Sequence, residues 1–118
     1  MKSIGKTLEY KGKEYEVVFT LNVMEAIQEE YGTLEKWADL TDGGADGEPN
    51  AKAVIFGFTE MLNEGIDIKN EETGSSEKPL TRKQVGRMLT EVGMTKIAST
   101  MQEVVVESTK SGEDSKNE

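Results

Sequence analysis

Apolar residues recur along this chain at two periods: every second residue near the start, and every third or fourth residue afterwards. Thr7 to Thr20 alternates and reads as a β-hairpin. Taking Lys11-Gly12 as a two-residue turn sets Tyr10 opposite Lys13, Leu8 opposite Tyr15 and Lys6 opposite Val17. Leu8, Tyr10, Tyr15, Val17 and Phe19 then share one face. Thr7, Glu9, Glu14 and Glu16 take the other, with Val18 as the exception. A lone hairpin is marginal in water, so its apolar face must lie on the following helices or on a partner.

The period then changes to that of a helix. Asn22 and Glu25 stand at capping-box spacing and open a first helix with Val23, Met24, Ile27 and Tyr31 as its buried stripe and Gly32 as its end. Thr33 starts a short second helix with Leu34, Trp37 and Ala38 on one face, and Trp37 reads as a core residue. The most apolar stretch, Pro49 to Gly65, predicts the central core helix. Its stripe is Ala51, Val54, Ile55, Phe58, Met61 and Leu62. Pro49 suits the first turn and Gly65 a left-handed cap. Phe56 lies off the stripe, and either covers a second packed neighbour or stands exposed as an anchor. Gly57 is unfavourable in a helix interior by roughly 1 kcal/mol against Ala, unless another backbone comes close there.

Thr81 and Gln84 form a second capping box, before a stripe of Val85, Met88, Leu89 and Val92 that stops at Gly93. The last helix begins near Met94 or Thr95, with Ile97, Ala98, Met101, Val104 and Val105 on one face. The β-branched run Val104-Val105-Val106 predicts fraying or a strand. Thr41 to Glu48 and Ile66 to Pro79 are polar and turn-rich, and predict a flexible connection and a mobile surface loop. The segment 109–118 has no apolar residue and predicts a disordered acidic tail. The chain thus reads as one α+β domain over 1–108, an N-terminal β-hairpin packed on about five mostly short helices, followed by that tail.

Composition narrows the function classes. A net charge of −9 argues against nucleic-acid and anionic-membrane binding, which draw on Lys and Arg, and points to solubility and a basic partner. With neither Cys nor His, the chain lacks thiolate chemistry, ordinary zinc sites and Ser-His-Asp triads. The N-terminus has no apolar stretch of the signal-peptide kind, and the apolar runs fall far short of a membrane span, so cytoplasm is expected.

Four local patterns fail as sites. Counted from Asp42, the glycine-rich loop has Asp46 and Gly47 where a calcium loop wants them, but Gly44 and Ala53 where ligands are needed. It also lacks the Lys and Ser/Thr of a phosphate-binding loop. Glu29-Glu30 and Glu71-Glu72 sit on polar stretches, without the burial that separates catalytic pKa values. Gln84 to Met101 has the outline of a helix-turn-helix, yet its second helix offers only Lys96 ahead of Glu103, and Leu89 stands where a small residue is needed. No cofactor or catalytic residue is expected.

The order of parts carries a resemblance. Y-K-G-K-E-Y-E-V-V-F-T-L-N is followed by M-E-A-I-Q-E-E-Y-G-T-L-E-K-W, then F-G-F-T-E-M-L-N-E-G-I-D, then L-T-R-K-Q-V-G-R-M-L-T-E-V-G. Over roughly Thr7 to Glu107 this resembles the small tail assembly chaperones of long-tailed bacteriophages and prophages of Gram-positive hosts. The resemblance implies a non-enzymatic protein that binds the long, aggregation-prone tape measure protein and helps tail tube subunits polymerise around it. Many family members are made in two lengths by a programmed frameshift, and this chain looks like the shorter form. A structural tail component retained in the virion, or an acidic inhibitor or DNA mimic, would be the alternative.

A client-binding role needs accessible apolar surface. Phe56, Ile97, Met101, Val104, Val105 and Val106 are the expected partner-binding residues, with the hairpin face as a second option. Methionines 24, 61, 88, 94 and 101 would let such a surface adapt, although methionine at helical spacing is also ordinary core. No heptad seam argues for self-association, which stays open.

Overall fold

Lys11 and Gly12 both have positive φ, 52° and 78°. This is the conformation of a type I′ turn, whose twist matches that of the flanking strands. It joins β1 (Gly5–Tyr10) to β2 (Lys13–Val18) as an antiparallel pair with Lys6 opposite Val17, Leu8 opposite Tyr15 and Tyr10 opposite Lys13, the register expected from the sequence. The computed structural model describes residues 5–43 and 47–117, with side chains through Thr109. Lys11 is the only described non-glycine residue with positive φ. Asn tolerates that region better than Lys, so Lys11→Asn should stabilise the fold by roughly 0.5–1 kcal/mol, read from the urea midpoint.

Five helices follow: α1 (Leu21–Tyr31), α2 (Leu34–Asp42), α3 (Ala51–Thr73), α4 (Arg82–Val92) and α5 (Met94–Asn117). The α+β class holds. Several boundaries differ from the sequence reading. The N-cap of α1 is Thr20, whose hydroxyl accepts from the Val23 amide at 3.4 Å and donates to a Glu64 carboxylate oxygen at 2.7 Å. Asn22 instead donates to that same oxygen at 3.1 Å. A tertiary partner on α3 thus decides between two local caps. Thr33 caps α2 as expected, and Thr81 with Gln84 closes the capping box of α4.

The central helix α3 starts at Ala51 with Asn50 as its N-cap, so Pro49 precedes the helix and is not part of its first turn, and Ala51 is exposed while Ala53 is buried. It does not stop at Gly65 but runs on to Thr73, and Gly74 is its left-handed cap. α2 reaches Asp42, which shortens the expected loop at Thr41. Asn50 closes that connection by donating its amide to the Leu40 carbonyl at 2.9 Å. The Val104–Val106 run neither frays nor forms a strand, because Val104 is sealed in the core and burial outweighs propensity. The backbone stays helical to Asn117, beyond the point where composition predicts a disordered tail.

α3 packs on β2, α1, α2, α4 and α5 and forms the axis of the core. Phe58, Met61, Leu62 and Val54 of α3 meet Val17, Val23, Ile27, Trp37, Val85, Ile97, Met101 and Val104. Trp37 donates its indole N–H to the Ala53 carbonyl at 2.9 Å and packs its ring directly against Gly57. The glycine therefore makes room for a ring, where a backbone had been the expected neighbour. Gly65 is the position where a backbone does come close: the Glu16 carbonyl of β2 lies directly against it. Val18, the apolar exception on the outer face of the hairpin, is buried as well.

The expected mobile loop at 66–79 shrinks to the few residues between α3 and α4, and it is tied down. Asn63 accepts from the Leu80 amide at 2.7 Å and donates to the Leu80 carbonyl at 3.0 Å. Two helical turns later, Asn70 accepts from the Glu77 amide at 3.0 Å and donates to the Glu77 carbonyl at 3.0 Å. Each side-chain amide engages both backbone groups of one loop residue, as a neighbouring strand would.

Candidate interaction surface

The residues expected to bind a partner are not brought together. Ile97, Met101 and Val104 are at most 1% exposed and belong to the core, which corrects their assignment to a docking face. The apolar stripe of α5 is a single one, and it is used against α3, α4 and the hairpin. Val105 is half-buried beside that core, and Val106 is 58% exposed. The hairpin face is also mostly taken up: Val17 and Phe19 are buried, while Leu8, Tyr10 and Tyr15 are half-covered. Of the methionines, Met61, Met88 and Met101 are core, and Met24 and Met94 are half-buried.

Phe56 realises the first of its two expected roles, with one addition. Its ring meets Tyr31 edge-on, with centroids 5.6 Å apart and planes at 74°, so the end of α1 is the second neighbour. The Arg82 guanidinium covers the Phe56 ring at 5.7 Å, an attractive cation–π arrangement. The Tyr31 hydroxyl is enclosed without a hydrogen-bond partner among the described residues. Burial, with Glu30 adding to it and Arg82 opposing, raises its pKa above the ordinary phenol value.

Glu60 sits one turn beyond Phe56. Burial and then the neighbouring Glu64 raise its pKa, against the pull of Arg82. The folded chain therefore holds the Glu60 proton more tightly than the unfolded chain does. Its stabilising contribution is full below the unfolded carboxylate pKa and is lost as pH rises through the raised value. Glu60→Gln keeps the neutral shape. It should be more stable than the parent at neutral pH and indistinguishable below about pH 4, as measured by urea midpoints at both values.

Two hollows flank β2 and the hairpin tip. One, of about 230 Å³, has Thr7, Glu14 and Glu16 on one side and Ile66, Lys69 and Glu77 on the other. Its cation is already paired, with Lys69 and the nearby Lys13 at 3.6 and 3.4 Å from the same Glu77 oxygen. The other, of about 210 Å³, lies between the hairpin tip and α4, over Tyr10, Tyr15, Leu80 and Met88, with Lys11, Arg87 and Glu91 at its edge. Among the described residues, no group of three His, Cys, Asp or Glu side chains is placed to hold a metal. Residues 44–46, the middle of the loop weighed for calcium, lie outside the described residues. No described helix is long and apolar enough to cross a membrane.

The surface around α4 was not singled out in the sequence. The available signal was that both arginines of the chain, Arg82 and Arg87, fall on one helix that carries a single carboxylate. Arg82 covers the aromatic pair on one flank of α4, and Arg87 borders the tyrosine-lined groove on the other. Comparison with protein-family models, curated proteins and solved structures finds no match to this chain.

Proposed function

We propose that this chain is a non-enzymatic chaperone of bacteriophage tail assembly that works in the cytoplasm of the bacterial host. It holds the tape measure protein and assists the tail tube protein in polymerising around it. The client's identity comes from the resemblance in the hairpin lead, the E-E-Y-G helix end, the aromatic central helix and the L-T-x-x-Q-V-G start. The observation that supports a client-holding role is the surface around α4, where half-buried aromatic rings on both flanks are bordered by cations. Such a surface offers apolar contact to a client without a large bare patch. The net charge of −9 keeps the complex dispersed.

The test is co-expression with the neighbouring long tape-measure-like gene, followed by pull-down on a tagged copy of this chain. The expected result is a long protein that turns soluble and co-purifies. A long protein that stays insoluble and is not retained would overturn the reading, and detection of this chain in purified virions would put a structural tail component in its place.

A further inference from the structure

Cations are concentrated in one stretch of the chain. From Lys78 to Lys96 the chain carries five Lys or Arg residues and a single carboxylate, Glu91, against a net charge of −9 for the whole. The hairpin tip adds Lys11 and Lys13, whose ammonium groups lie 5.5 Å above the Tyr10 ring and 5.3 Å above the Tyr15 ring. The groove between tip and α4 thus has a floor of Tyr10, Tyr15, Leu80 and Met88 beneath a cationic rim. Arg87 on that rim is exposed and makes no ion pair among the described residues. Glu91 is engaged at 3.7 Å by Lys11, and both side chains stay in solvent, so the pair opens easily.

Size restricts the occupant. About 210 Å³ is below the roughly 300–1,000 Å³ of small-molecule pockets and suits one large side chain. We propose that the groove seats an apolar or aromatic anchor from an acidic segment of the client, with carboxylates beside the anchor meeting Arg87 and Lys11. This rests on the client-holding role proposed above. An anchor in a fitted pocket supplies most of the affinity in such contacts. A carboxylate matches the planar guanidinium in a two-pronged contact, and charge complementarity rejects basic segments. Single-stranded nucleic acid would also be drawn to a cationic rim, but it needs a charged groove that tracks its backbone over several nucleotides, and this is a short hollow of about 210 Å³ with Glu91 at its edge.

The probe is a fluorescein-labelled peptide with one phenylalanine between runs of glutamate, followed by fluorescence anisotropy on the full chain. Binding should be saturable. It should weaken about ten-fold or more when Ser replaces the phenylalanine, when Lys replaces the glutamates, or when the protein carries Arg87→Glu. Arg87→Glu should also fail to retain the co-expressed long client. Absence of saturable binding, equal binding by Arg87→Glu, or a preference for labelled oligothymidylate would overturn the proposal. Client retention by Arg87→Glu at the parent level would sink the groove and spare the chaperone. Peptide binding without client retention by the parent chain would do the reverse.

Discussion

Gly57→Ala is expected to destabilise the protein by about 2–4 kcal/mol, with the sign opposite to that of an ordinary glycine-to-alanine change in a helix. On an open helix face the change gains about 1 kcal/mol. Here the added methyl would stand 2.3 Å from Trp37 Cζ2, 2.8 Å from Cε2 and 3.0 Å from Nε1. The ring cannot swing aside, because it is 1% exposed and its N–H is held by the Ala53 carbonyl. Overpacking typically costs about 1–3 kcal/mol, and displacing the indole would cost its buried N–H the bond to Ala53, for a similar amount. Equilibrium urea unfolding measures the difference. Trp37→Phe in the Gly57→Ala background should recover part of the loss, since the smaller ring leaves room where the indole did not. A more stable Gly57→Ala variant would mean that the indole is not packed against α3 as described.

Gly65→Ala should be nearly as damaging, at about 2–3 kcal/mol, and for a different reason. Its methyl would fall 2.6 Å from the Glu16 carbonyl oxygen and 3.3 Å from the carbonyl carbon. Backbone atoms have no rotamer to escape into, so α3 and β2 must separate. The damage should be concentrated in the hairpin, which alone is marginal. Amide exchange separates the two variants: Gly65→Ala should expose β1 and β2 amides before those of α4 and α5, whereas Gly57→Ala should loosen the α2–α3 contact first. Equal protection of the hairpin in Gly65→Ala and parent protein would contradict the close approach.

These two glycines show where sequence reading succeeds and where it stops. A glycine inside an apolar stripe has two meanings, a cap or a contact. Gly65 was read as a cap, and it is a contact. The hairpin was legible to the residue because a two-residue turn fixes its register, and period two then fixes the faces. The Thr81-Gln84 box was legible because both partners lie in one turn. The start of α1 was not, because Glu64, more than forty residues away, holds Thr20 and Asn22 together. The interaction surface was misplaced for a related reason. An amphipathic helix shows that it has an apolar face, but not whether that face turns to the core or to a partner. For α5 the core took it. The run of cations in and beside α4 was hidden by averaging charge over the whole chain.

The paired asparagines of α3 bear on which changes of length the chain can accept. Polar linkers are the usual place for natural insertions and deletions. Here Asn63 and Asn70 stand seven residues apart on one side of α3, and each grips one particular residue of the connection to α4. A residue gained or lost between them would turn one asparagine by about 100° relative to the other and unfasten it. Length changes introduced into this chain should therefore be harmful both in the 64–69 stretch of the helix and in the 77–80 stretch of the connection. The α2–α3 connection is held instead by backbone bonds, from the Gly47 amide to the Gly43 carbonyl and from the Asn50 amide to the Leu40 carbonyl, so its length is set by a turn and not by paired side chains.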